Sequence, residues 1–259
     1  MDKKMKFPAV AFDLDGTLYP NYSFYARLVP FLLKEQRYLR AFGKARDRLR
    51  AEECNLAAPN CLEVSSGETP GRLSERNLSF YERQAAYMGE ILHAKPELLL
   101  QKTEKIIYRG WEPIFKKVRL FPHVIETLRA LKEAGVRLGL LSDFPPEAKL
   151  ENLGLGGLWD AVLCSEAIGC LKPGPLPFAE LAKTMGCTPG EMLYVGNSFR
   201  YDVLGAQGAG MKAAWVVSRS KAKKQARGLK NAPAAELPAK PAADFVFSDY
   251  RKLRDYVLT

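Results

Sequence analysis

The spacing of apolar and polar positions changes character twice along the chain. A short apolar run from Phe7 to Phe12 stops abruptly at Asp13, as a buried strand does on reaching a site. From residue 19 to about 120, apolar residues such as Phe31, Leu32, Tyr38, Leu39 and Phe42 recur at helical spacing among Arg, Lys and Glu. Pro59, Asn60, Gly67, Pro70 and Gly71 mark residues 54–71 as a loop, and further helices are predicted over residues 73–93 and 96–117. This reads as a separate helical unit inserted after the first strand.

Beyond residue 121 the pattern alternates. Helices are predicted over residues 124–133, 145–152, 175–185 and 200–207, and strands over 136–141, 159–164, 192–195 and 213–217. Residues 221–243, rich in Ala, Pro and Lys, lack any apolar period and read as a flexible arm or loop. A last strand over 245–247 and a helix over 250–258 return to the core. Such alternation implies crossover connections and a parallel sheet, hence an α/β fold. The expected division is a core of residues 1–18 and 119–259, with a helical cap of residues 19–118 and the basic arm at 221–243.

Composition fits that picture: 259 residues, 47% hydrophobic and 26% charged, enough to bury a sizeable core. No apolar run approaches the roughly 18–20 residues of a membrane helix. Lys3, Lys4 and Lys6 precede the first apolar run, but Asp13 ends it too early for a secretory segment. The expectation is a cytoplasmic protein. Its five cysteines, Cys54, Cys61, Cys164, Cys170 and Cys187, are then expected as thiols. The net charge of +10 concentrates in residues 34–50 and 219–230. Both stretches read as solvated surface; no aromatic residue interleaves the second, which argues against nucleic acid as a partner.

Polar residues recur where predicted strands end. Asp13 and Asp15 follow the first strand, Ser142 and Asp143 the second, and Gly196-Asn197-Ser198 the strand over 192–195; Lys172 lies in the turn after the strand ending near Cys164. In an open parallel sheet those ends line the ligand crevice. Singly, each is ordinary turn chemistry; four in order are not.

Asp13-Leu14-Asp15-Gly16-Thr17, Leu141-Ser142-Asp143, Lys172-Pro173 and Gly196-Asn197-Ser198 with Asp202 resemble the four motifs of the haloacid dehalogenase superfamily of phosphohydrolases. The resemblance covers about residues 5–20 and 118–218. It implies a Rossmann-like core with an α-helical cap inserted after the first motif, and a phosphatase using Mg²⁺ on a small phosphorylated metabolite. It further implies that Asp13 attacks phosphorus to form an aspartyl-phosphate and that Asp15 acts as acid and then base. Ser142, Lys172 and the backbone near Asp143 would hold the phosphate, and Asp13, Asp15 and the Asn197–Asp202 loop would hold the metal. The second Asp, absent from the family's dehalogenases, points to phosphoester chemistry.

One position departs from the pattern. Asn197 stands where the family commonly has an Asp, removing one negative charge, while Asp202 could bind metal or hold Lys172. Two other readings stay open: a phosphomutase, and a weakly active protein that binds a phosphorylated ligand for regulation. Tyr19, Tyr22, Phe24, Tyr25, Arg109, Trp111 and Arg119 flank the predicted cap and serve either the substrate entrance or packing. His123 is expected at the start of the helix over 124–133.

Overall fold

The computed structural model describes residues 6–56, 78–217 and 242–259. Strands β1 (Ala9–Phe12), β2 (Arg137–Ser142), β3 (Ala161–Cys164), β4 (Met192–Gly196), β5 (Lys212–Val216) and β6 (Phe245–Phe247) form one sheet in the order β3-β2-β1-β4-β5-β6. Every pairing is parallel. This is the parallel α/β sheet that the alternating pattern predicts, in the doubly wound, Rossmann-like form that the family resemblance implies.

Successive residues of a strand face opposite sides, and here both sides are buried. Val10 and Phe12 pack with Leu138, Leu140, Leu193 and Val195, whereas Ala9 and Ala11 pack with Leu141, Met192 and Tyr194. Helices therefore cover both faces. Leu128 and Leu131 of one helix (Val124–Glu133) and Leu253 and Val257 of the last (Tyr250–Leu258) cover the first face. Phe178, Leu181 and Met185 of a third helix (Pro175–Met185) cover the second. His123 takes a left-handed conformation (φ 66°) as the N-cap residue of the helix Val124–Glu133.

Between β1 and β2 the chain is helical: α1 (Asn21–Lys34), α2 (Gln36–Leu56), α3 (Phe80–Leu92), α4 (Pro96–Thr103) and the short α5 (Glu112–Phe115). Tyr38, Phe42, Leu49, Phe80, Met88, Leu99 and Ile107 give this insertion a core of its own, which Leu171 joins from the sheet side.

Some boundaries differ from expectation. Helix α2 runs through Leu56 rather than ending near residue 54, and the rest of the predicted loop lies outside the described residues. Helix α3 starts at Phe80, where Ser79 and Glu82 form a reciprocal capping box that satisfies two first-turn N–H groups. The single helix predicted over 96–117 is broken, because α4 gives way to a wider π turn (Glu104–Arg109) before α5. Pro113 has no N–H to donate, and its ring excludes the carbonyl four residues back, so a straight α-helix cannot continue through it. The predicted helix over 200–207 likewise opens with a π turn (Phe199–Val203) before an α-helical end (Leu204–Gly208). The basic arm of residues 221–243 lies outside the described residues except for Ala242 and Ala243. Cys164, Cys170 and Cys187 are free thiols, and Cys61 lies outside the described residues. Among the described residues no helix is long and apolar enough to cross a membrane.

Candidate active site

Three neighbouring strands end together. Phe12 pairs with Leu140 of β2 and with Val195 of β4, and the ladder extends one residue further, where Asp13 N donates to Val195 O at 2.9 Å. Asp13, Ser142 and Asn197 are thereby delivered side by side at the carboxyl edge, where a doubly wound sheet opens into its ligand crevice. The chain then turns at Gly16 (φ 87°), where a Cβ would collide with the side-chain amides of Asn197 and Asn21. Glycine there lets Asn197 lie directly over the first motif.

Lys172 reaches into this edge from the loop after β3. Its ammonium, 3% exposed, donates to Asp13 Oδ1 at 2.8 Å, Asp202 Oδ1 at 2.8 Å and the Tyr194 hydroxyl at 3.1 Å. Burial works against its charge, but Asp13 and Asp202 hold it well above the ordinary lysine value. Asp13 is the reverse case. Burial pushes its carboxyl up to about 7 with Asp202 adding to the rise, while Lys172 and the hydroxyl of Thr17, 2.6 Å from Oδ2, pull it down. Asp202 spends its second oxygen on Ser198 N at 2.9 Å. It packs so closely that a Cβ on Gly196 would overlap its side chain.

Asp15 points elsewhere. Its carboxylate accepts from Lys149 Nζ at 2.6 and 2.9 Å and from the Tyr19 hydroxyl. Asp15, Tyr19 and Lys149 line a cavity of about 1340 Å³ between the insertion and the sheet, walled by Phe24, Phe42, Phe115, Phe144 and Trp111 among others. Phe24 stacks on Phe115 at 4.9 Å and meets Trp111 edge-on, so these aromatics serve packing and the cavity wall at once. Tyr22 is 76% exposed and stands outside that cavity.

Asp143 is turned toward the insertion. Its Oδ1 accepts from Lys172 N at 3.2 Å and its Oδ2 from Arg50 Nη2 at 2.8 Å, while Arg50 Nε also donates to Lys172 O at 3.0 Å. Burial opposes its charge, yet Lys172, Arg46 and Arg50 hold it below the usual carboxylate value. Arg46 is itself buried and paired with the buried Glu166. Ser142, 1% exposed, accepts from Phe144 N at 3.2 Å.

Asp13, Lys172 and Asp202 thus form one bonded cluster, with Ser142 and Asn197 on the strand ends beside Asp13. Asp15 is bonded to Lys149, and Asp143 to Arg50. Among the described residues no three His, Cys, Asp or Glu side chains converge as a ready-made metal cage. The carboxylates of Asp13 and Asp202 offer oxygens of the kind a hard cation takes. Sequence reasoning passed over Lys149, Arg46, Arg50 and Tyr194, which sit outside the recognisable motifs.

The haloacid dehalogenase-like hydrolase family model matches residues 7–210, and a second, HAD-hydrolase-like model matches residues 169–252. A glyceraldehyde 3-phosphate phosphatase of Methanothermobacter thermautotrophicus is 32% identical over 216 residues, covering 81% of this chain and 85% of that one. A phosphoglycolate phosphatase of Salmonella typhi is 28% identical over 221 residues, covering 81% of each. In fold, the chain is similar to the L-2-haloacid dehalogenase of Xanthobacter autotrophicus, with a TM-score of 0.60 at 20% identity over 97% of this chain and 98% of that one.

Proposed function

This chain belongs to the haloacid dehalogenase-like hydrolase family and is a phosphohydrolase, and from that premise we propose that it is a Mg²⁺-dependent phosphatase working through Asp13 on a small phosphomonoester. The observation that carries the reading is the Asp13–Lys172–Asp202 cluster at the strand ends, with a second carboxylate, Asp15, two residues on and facing the cavity between the insertion and the sheet.

In this reading an Asp13 oxygen attacks phosphorus while the ester oxygen departs with a proton from Asp15. Asp15 then takes a proton from water, whose oxygen attacks the aspartyl-phosphate, releasing phosphate and restoring Asp13. Charge in such a transfer spreads over the equatorial phosphoryl oxygens, so fixed donors carry most of the catalysis. Lys172 supplies a fixed positive charge, Ser142 a hydroxyl, and Thr17 holds the Asp13 carboxylate in one orientation. Asp202 and Tyr194 lock the Lys172 ammonium in place.

The donors fit magnesium on chemistry and on charge. Asp13 and Asp202 carry two carboxylates against the one ammonium of Lys172, a negative surplus that a divalent ion offsets. Asp13, the Asp15 carbonyl and Asn197 would hold it, with Asp202 behind Lys172. Bound there, it would screen the repulsion between the Asp13 carboxylate and a dianionic phosphate.

Residues 19–118 act as the cap in this reading. The substrates named for the relatives, glyceraldehyde 3-phosphate and phosphoglycolate, are short phosphoesters, and we place this chain's substrate in that class. The test is hydrolysis of para-nitrophenyl phosphate and a panel of phosphorylated metabolites with Mg²⁺ and with chelator. Phosphate release that survives chelation, or none from any ester by folded protein, overturns the reading.

A further inference from the structure

Lys149 is used by none of the four motifs, yet it stands where the leaving group must pass. A phosphoester whose phosphorus faces Asp13 and whose ester oxygen faces Asp15 has its first carbons beside whatever rests on Asp15. That neighbour is Lys149, whose Nζ lies 2.6 and 2.9 Å from the two Asp15 oxygens. The side chain is 12% exposed and passes between aromatic rings, with Nζ 5.2 Å from the Phe115 centroid and 5.1 Å from that of Phe144.

Among the described residues Asp15 is the only anionic partner of Lys149. An ammonium has three N–H donors, and Asp15 takes two. Of the other basic groups on the cavity wall, two are ion-paired. Arg46 is paired through Nη1 with Glu166, while its Nη2 lies 3.9 Å from Asp143 without a hydrogen bond, and Arg109 is paired with Glu104 and Glu112. Lys105 lines the wall from the π turn after α4.

A substrate carrying a carboxylate on the ester carbon would meet the remaining donor of Lys149. A neutral substituent at that place strips water from the ammonium and returns no hydrogen bond to its remaining donor, and a site that offers a donor to its ligand discriminates against one that cannot accept from it. We propose that Lys149 is a specificity-determining residue that selects phosphomonoesters bearing a carboxylate next to the ester carbon. The inference rests on the phosphatase reading and deepens it.

2-Phosphoglycolate and ethyl phosphate differ there only by carboxylate against methyl. Their kcat/KM ratio should favour 2-phosphoglycolate by about tenfold or more in the wild type, and Lys149→Met should lower that ratio at least about fivefold, chiefly through the KM for 2-phosphoglycolate. Lys149→Arg should restore most of the preference. No preference in the wild type, or a ratio that Lys149→Met lowers by less than about fivefold, overturns the proposal. In particular, a parallel loss on both esters would mean that Lys149 acts only through Asp15. Dissociation constants of the two esters on Asp13→Asn protein, with and without Lys149→Met, give the same ratio without turnover. If the wild type hydrolyses no ester, the phosphatase reading fails, and this binding ratio still decides the role of Lys149.

Discussion

Arg50 Nη2 lies 2.8 Å from Asp143 Oδ2, joining the insertion's second helix to the residue that follows β2. Both side chains are largely buried, at 14% and 15% exposure, and Arg50 donates from Nε to the carbonyl of Lys172 as well. Removing one partner of such a pair leaves the other short of hydrogen bonds in a place water hardly reaches. Arg50→Ala should therefore cost about 1–3 kcal/mol in denaturant unfolding. It should also lower kcat, because the loop carrying Lys172 loses a support. Unchanged unfolding midpoints together with unchanged turnover would show this contact to be incidental.

Acid should act through the same pair. Because Lys172, Arg46 and Arg50 hold Asp143 below its ordinary value of 3.8 despite burial, the ionised form stabilises the fold at every pH above that value. The contribution is lost as pH falls below it and the carboxylate takes up a proton. Between about pH 5 and pH 3, unfolding midpoints of the wild type should fall more steeply than those of Asp143→Asn, which has no proton to gain there. Parallel declines would remove Asp143 from the acid response.

At the nucleophile, Asp13→Asn keeps the shape and removes the attacking charge. Turnover should fall below about one per cent of wild type with the fold intact by circular dichroism. Beryllium fluoride, which mimics an acyl phosphate, should raise the melting temperature of the wild type and leave that of Asp13→Asn unmoved.

Two substitutions separate the metal donors. Both Asp202 oxygens are taken, by Lys172 and by Ser198 N, whereas the Asn197 side chain lies over Gly16 beside the nucleophile. Asn197→Asp should lower the Mg²⁺ concentration for half-maximal activity by about tenfold, equivalent to about 1.4 kcal/mol. Asp202→Asn should reduce turnover even at saturating Mg²⁺, because it frees the Lys172 ammonium. If instead Asp202→Asn is rescued fully by added Mg²⁺ and Asn197→Asp changes nothing, the two assignments are exchanged.

The sheet was legible because its strands are short, continuous apolar runs that end on Asp13, Ser142 and Gly196, separated by stretches of helical period. Asp13 and Lys172, 159 positions apart, were paired by motif resemblance and not by spacing. Contacts outside those motifs left no trace. Lys149 and Asp15 are separated by 134 positions and Arg50 and Asp143 by 93. A lysine or arginine on a helix reads as solvated surface until the fold brings a carboxylate to it. The π turns escaped for a different reason: helical periodicity averages over several residues, and one extra residue per turn hardly disturbs it.

Leu171 is buried in the core of the helical insertion, while its neighbour Lys172 holds the carboxylate of Asp13. Two adjacent residues of one loop therefore belong to separate packing units. An engineered chimera that exchanges residues 19–118 for the corresponding segment of a relative would have to re-accommodate Leu171 before Lys172 could regain its position. Grafting a new specificity onto this sheet is for that reason not a matter of transplanting one segment, and the loop around Leu171 has to travel with it.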